Sequence, residues 1–94
     1  MIEVAKLAGG DPGRYAVIVR EGRGETRHQV TLADADYRRI SGGKTSQENC
    51  IEASFRFLLD REPKESIMRS FDLMVIARYF PEFEREVPTY LSRR

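Results

Sequence analysis

"RYAVIVREGRGETRHQVTL", residues 14–32, carries two runs of alternating side chains joined through Gly22-Arg23-Gly24. In the first run Tyr15, Val17 and Val19 fall on one side and Ala16 and Ile18 on the other. Both sides are apolar, which predicts a central strand with a neighbour on either hand. In the second run Thr26, His28, Val30 and Leu32 alternate with Arg27, Gln29 and Thr31, the period of two that sends one face inward and the other to water. Short glycine turns join antiparallel neighbours, because glycine accepts the positive φ that a tight reversal needs.

Working toward the N-terminus, "GGDPG" at 9–13 stacks turn formers behind "IEVAKLA", where Ile2 and Val4 alternate with charge. Residues 1–32 therefore read as a three-stranded antiparallel β-meander. Beyond Leu32 the period changes. "ADADYRRI" spaces Ala33, Tyr37 and Ile40 for a short helix with Asp34 and Asp36 in its positive first turn, and Gly42 and Gly43 stop it. Thr45 followed by Glu48 has the spacing of a capping box and opens the main helix, which ends near Arg61. Its stripe of Ile51, Phe55, Leu58 and Leu59 is widened by Cys50, Ser54 and Phe57, so it must be buried against more than one element.

Pro63 suits the first turn of a further helix, with Ile67, Met68 and Phe71 as its apolar side. Asp72 reads as the N-cap of "LMVIARYF", in which Leu73, Ile76 and Phe80 share a face. Pro81 breaks that helix and redirects the chain, "EFEREV" turns Phe83 and Val87 inward, and Pro88 is expected to end it. Residues 89–94 are expected to fray. The expectation is one α+β domain over 1–94, a β-meander (1–32) followed by four or five short helices (33–88) packed on one sheet face.

Composition narrows the function classes. The 94 residues are 40% apolar and 33% charged, the balance of an ordinary globular domain. Cys50 is the only cysteine, so neither an internal disulfide nor a cysteine-rich metal site can form. The longest apolar run, Leu73 to Ala77, falls far short of the roughly 20 residues that cross a bilayer, and no signal-peptide pattern opens the chain. No membrane association and a cytoplasmic address are the expectation. The formal charge is +1, divided as +2 over residues 1–46 and −1 over 47–94, too even for a strong pull on nucleic acid.

No complete catalytic motif is present, and no cofactor or metal is expected. "SGGKTS" at 41–46 copies the end of a phosphate-binding loop, but Arg38 stands where that motif needs a glycine, and a helical pattern rather than a strand precedes it. A helix stop followed by a helix start explains the same residues, with Lys44 left near a helix amino end. His28 lacks companions for a metal and an evident nucleophile, so it reads as a half-buried strand histidine. Cys50, beside Ile51 and Ser54, reads as a small buried hydrophobe rather than a reactive thiol. Glu82, Glu84 and Glu86 are spaced two apart, which puts successive ones on different sides of a helix, and the three are not expected to converge on one reacting atom.

Two surfaces remain. Seven of the nine aromatic rings lie at or after Phe55, and Phe57, Tyr79, Phe83 and Tyr90 exceed what one thin helical layer easily buries. They either plug the core or form a surface for a protein partner or a second copy of the chain, as a homodimer. Arg20, Arg27, Arg39 and Lys44 could gather as a weak nucleic-acid or anion site, although acidic residues are interleaved with them and base-stacking rings are sparse there.

The string Phe55-Arg56-Phe57-Leu58-Leu59, Arg61-Glu62-Pro63, Phe71-Asp72-Leu73 and Tyr79-Phe80-Pro81-Glu82 resembles one found in a group of small conserved bacterial proteins that carries no assigned activity. The resemblance implies a bacterial cytoplasmic setting and lends no catalytic residue. The expectation is a non-enzymatic module that works through protein contact.

Overall fold

A computed structural model of the chain describes residues 1–92. Three antiparallel strands open it, β1 (Ile2–Ala8), β2 (Gly13–Arg20) and β3 (Glu25–Leu32), with β2 central as its two apolar sides require. Val17 sits opposite Val4 and His28, and Tyr15 opposite Val30, so one face of the sheet is an apolar layer. Four helices follow: α1 (Asp34–Ser41), α2 (Gln47–Leu59), α3 (Ile76–Tyr79) and α4 (Phe83–Ser92). The architecture is α+β.

Local signals explain most of the helix ends. Gly42 takes the left-handed conformation (φ 71°) and its N–H closes on the Arg38 carbonyl. The first turn of α1 borrows a cap from the β1–β2 turn, where the Asp11 carboxylate accepts from the Asp34 N–H at 2.9 Å. Ser46, not Thr45, caps α2 by accepting from the Asn49 N–H at 3.0 Å; Thr45 Oγ1 instead accepts from the Asn49 side-chain amide. Seven of the thirteen residues of α2 are buried, and the helix packs on β1 and α4. At its start Gln47 receives the Tyr15 hydroxyl, and the pair packs closely on Gly13, where a Cβ would stand 3.0 Å from the Gln47 amide oxygen and push that side chain aside by a few tenths of an ångström.

The chain after Pro63 departs from expectation in its secondary structure and in where its last helix ends. The helix expected after Pro63 is a single 3-10 turn (Lys64–Ser66), after which the chain extends into a fourth strand, β4 (Ser70–Asp72), parallel to β3 in the order β1-β2-β3-β4. Ile67 and Phe71, four residues apart, fit a period of 3.6 and a period of 2 equally well, and pairing with β3 decides between them. Pro88 does not end α4, which continues through it to Ser92. Burial of Val87 and Tyr90 on one stripe, with the Tyr90 hydroxyl bonded to the Asp60 carboxylate, offsets the lost backbone bond, and residues 89–92 do not fray. Residues 93–94 of the expected tail lie outside the described residues.

Asp72 behaves as read. Its carboxylate accepts from the Met74 N–H at 3.1 Å, opening a 3-10 turn (Leu73–Val75) that runs into α3, and its other oxygen takes the Thr31 hydroxyl at 2.6 Å. Pro81 interrupts the helical chain between α3 and α4.

The helical layer closes around one ring. Phe57 meets Phe80, Phe83 and Tyr90 edge-on at centroid distances of 5.9, 5.2 and 5.9 Å, and the Arg61 guanidinium lies 3.6 Å from its centroid. Truncating Phe57 to Ala should cost about 3–5 kcal/mol in a denaturant titration, the range for a buried aromatic ring, whereas Tyr79→Ala should change stability by under about 0.5 kcal/mol. Similar losses for the two variants would mean that Phe57 is not the centre of the helical layer.

Candidate functional site

The aromatic surplus divides three to one. Phe57 and Phe83 are fully buried and Tyr90 is 9% exposed, so these three rings form the interior, while Tyr79 is 68% exposed. The break at Phe80, which leaves the helical conformation (φ −130°, ψ 88°), lets Phe80 and Phe83 turn inward and leaves Tyr79 outside.

Tyr79 stands at the lip of an apolar groove of about 450 Å³ between the end of α2, the segment 62–68 and α3. Leu58, Ile67, Phe71 and Ile76, all buried, form its floor. Met68, 41% exposed, stands on the other lip. Met68 was expected on the apolar side of a helix, but the extended backbone that buries Ile67 and Phe71 turns Met68 outward.

One charged group lines the groove. Glu62 has no ion pair or side-chain hydrogen bond among the described residues, and burial pushes its carboxyl above the usual carboxylate range. Its neighbour Arg61 is committed elsewhere, donating to Glu82 at 3.1 Å, to Glu86 at 2.7 Å and to the Phe57 carbonyl at 3.1 Å. Contrary to expectation, Glu82 and Glu86 therefore meet, one helical turn apart, on a single guanidinium, while Glu84 points away to Arg39. Nothing in the sequence separates Glu62 from the other carboxylates, because its isolation follows from where the neighbouring guanidinium goes.

The expected cation set does not converge. Arg20 bridges Glu3 and Glu25, and Arg27 holds Glu25 at 2.7 Å, on the sheet face away from the helices. Arg39 lies in the helical layer, paired with Asp36 at 2.9 Å and Glu84 at 3.0 Å. Lys44 is exposed in the α1–α2 turn, where the two glycines act as a helix stop.

His28 is 3% exposed, more deeply set than half-buried, and both ring nitrogens are used. Nδ1 donates to the Met68 carbonyl at 2.7 Å, since a carbonyl can only accept. In the neutral ring that leaves Nε2 to accept from the Thr26 hydroxyl at 2.9 Å. The ring also touches Phe55 at 5.4 Å, so the histidine pins the segment carrying Met68 against β3. Among the described residues no group of three or more His, Cys, Asp or Glu could hold a metal, and no helix is long and apolar enough to cross a membrane.

No family model, no curated protein and no solved structure matches the chain.

Cys50 is fully buried, and burial pushes its thiol up to about 12. The native thiol should therefore resist alkylation at pH 8 and react only in denaturant. The unfolded thiol ionises near 9.0 while the folded one keeps its proton, so this contribution to stability is complete below pH 9 and declines as pH rises toward 12. Burial also raises Tyr15, which adds to the same decline. Cys50→Ala should make the fall in stability over that window shallower without abolishing it; an unchanged slope would contradict the assignment.

Proposed function

We propose that the protein is a non-enzymatic interaction module and that the groove between Met68 and Tyr79 is its docking surface. The occupant is a short segment of another protein that places an aliphatic or aromatic side chain on the floor and a lysine or arginine against Glu62. The observation that carries this reading is the unpaired, partly desolvated Glu62 carboxylate in the wall of an otherwise apolar groove. Such a group costs the free protein solvation, and a cation brought in by a partner repays that cost. The exposed methionine and tyrosine add the adaptable and the rigid amphipathic contact that protein interfaces favour. Glu62, Phe71, Tyr79 and Phe80 meet at this groove.

The test uses capped peptides in which one leucine or phenylalanine lies within four residues of an arginine, matched with versions carrying glutamate instead. Chemical shifts at Ile67, Met68 and Tyr79 should respond saturably to the arginine set and not to the glutamate set. Tyr79→Ala should weaken binding at least tenfold in a fully folded protein. Glu62→Gln should leave stability unchanged or raised at neutral pH, because it removes a desolvated charge, while abolishing the preference for arginine. Equal binding of both peptide sets would sink the reading. A concentration-dependent dimer that Tyr79→Ala returns to a 10.9 kDa monomer would replace the partner with a second copy of the chain.

A further inference from the structure

On the other side of the segment 62–69 lies a cleft of about 490 Å³ with different chemistry, independent of the docking groove. It opens between the start of β3 and residues 64–69, and Arg27, His28, Lys64 and Arg69 line it together with Glu25 and Glu65. Both carboxylates are already occupied. Glu25 is held by Arg27 at 2.7 Å and Arg20 at 3.1 Å, and Glu65 by the Lys64 ammonium at 2.7 Å. Those hydrogen bonds keep both carboxyls below the usual carboxylate range, as sites whose charge is spoken for. Arg69 has no ion pair or side-chain hydrogen bond among the described residues, so the cleft has one guanidinium in surplus.

Further donors point the same way. Lys64 is only 8% exposed, and its ammonium spends one hydrogen on the Arg23 carbonyl (3.2 Å) and one on Glu65, leaving the third. The backbone adds another donor. The Gln29 N–H donates to the Arg69 carbonyl at 2.7 Å, where pairing of β3 with β4 begins. Strand alternation puts the Arg27 N–H on that same edge, two residues before any partner strand. The bond from His28 to the Met68 carbonyl fixes the backbone wall next to Arg69 before any ligand arrives.

We infer that this cleft is an oxyanion site, taking a phosphate or carboxylate group on the Arg69 guanidinium, the free Lys64 hydrogen and the Arg27 N–H. A single anion would neutralise the one surplus charge, and a planar guanidinium binds either group through two parallel hydrogen bonds.

The test is an amide and guanidinium NMR titration of the whole chain with sodium phosphate and, separately, sodium acetate, against sodium chloride at matched ionic strength. Saturable shifts are expected at the Arg27 amide, the Arg69 Nε and the His28 ring, with none from chloride. Arg69→Ala, at an exposed position, should weaken the response about tenfold, the loss of one charge-assisted contact. Lys44→Ala, which removes an exposed cation outside the cleft, should leave it intact. Tighter binding of phosphate assigns the site to phosphoryl ligands, and tighter binding of acetate to carboxylates. Shifts that rise linearly, or that survive Arg69→Ala unchanged, overturn the site.

Discussion

The helical half of this protein depends on the environment of one ring. Phe57 presents itself to the edges of Phe80, Phe83 and Tyr90 and to the Arg61 guanidinium 3.6 Å from its centroid. A cation over an aromatic ring is worth up to about 2 kcal/mol when desolvated, and edge-on ring pairs add about 0.5–1.5 kcal/mol each beyond their buried area. Arg61 then reaches Glu82 and Glu86, so the end of α2 is tied to α4 by ring packing and by ion pairs together. Much of what distinguishes this chain from a generic small α+β domain follows from that knot. It recruits Tyr90, and so carries α4 past a proline. It draws Phe80 and Phe83 inward on either side of Pro81, which leaves Tyr79 facing water.

The same knot isolates Glu62. Arg61 and Glu62 are adjacent in the chain, and in an unstructured segment they would screen each other. Committing Arg61 to α4 strands the carboxylate at the wall of the groove. Two surfaces of opposite character then flank one short segment. Met68 borders the apolar groove and Arg69 lines the polar cleft, while Ile67 contributes to both. An extended backbone alternates its side chains, so adjacent residues can serve opposite sides. The segment is held by the ladder to β3, by His28 on the Met68 carbonyl and by Lys64 on the Arg23 carbonyl. Both surfaces therefore stand on a fixed support rather than on a free loop.

His28 and Cys50 illustrate how burial separates chemistry from structure. Each is the only residue of its type in the chain, and each is a familiar functional residue elsewhere. Burial removes the thiolate from the physiological range in one case, and in the other both ring nitrogens are occupied within the fold. Among the charged groups without a side-chain partner, a carboxylate and a guanidinium of types that recur along the chain border the two cavities, Glu62 and Arg69. Functional potential here is decided by which charges lack a partner, not by which residues are rare.

Elements whose signals are local were legible in the amino-acid order alone. Gly22 and Gly24 set a tight reversal, the alternation from Tyr15 to Leu32 set two strand faces, Gly42 stopped α1, and Asp72 announced a cap, because each of these rests on backbone preference or on contacts a few residues apart. The remainder depended on contacts between segments far apart in the chain. β4 is three residues long and parallel, and its apolar spacing of four suits helix and strand alike, so a hydrogen bond to β3, some forty residues away, had to settle it. Pro88 reads as a stop until Tyr90 finds Asp60. The aromatic surplus was visible in composition, yet which ring stayed outside depended on how three others packed around Phe57. The candidate sites were least legible of all. A charge becomes available only when the partners within reach are committed elsewhere, and that is a property of distances in the folded chain.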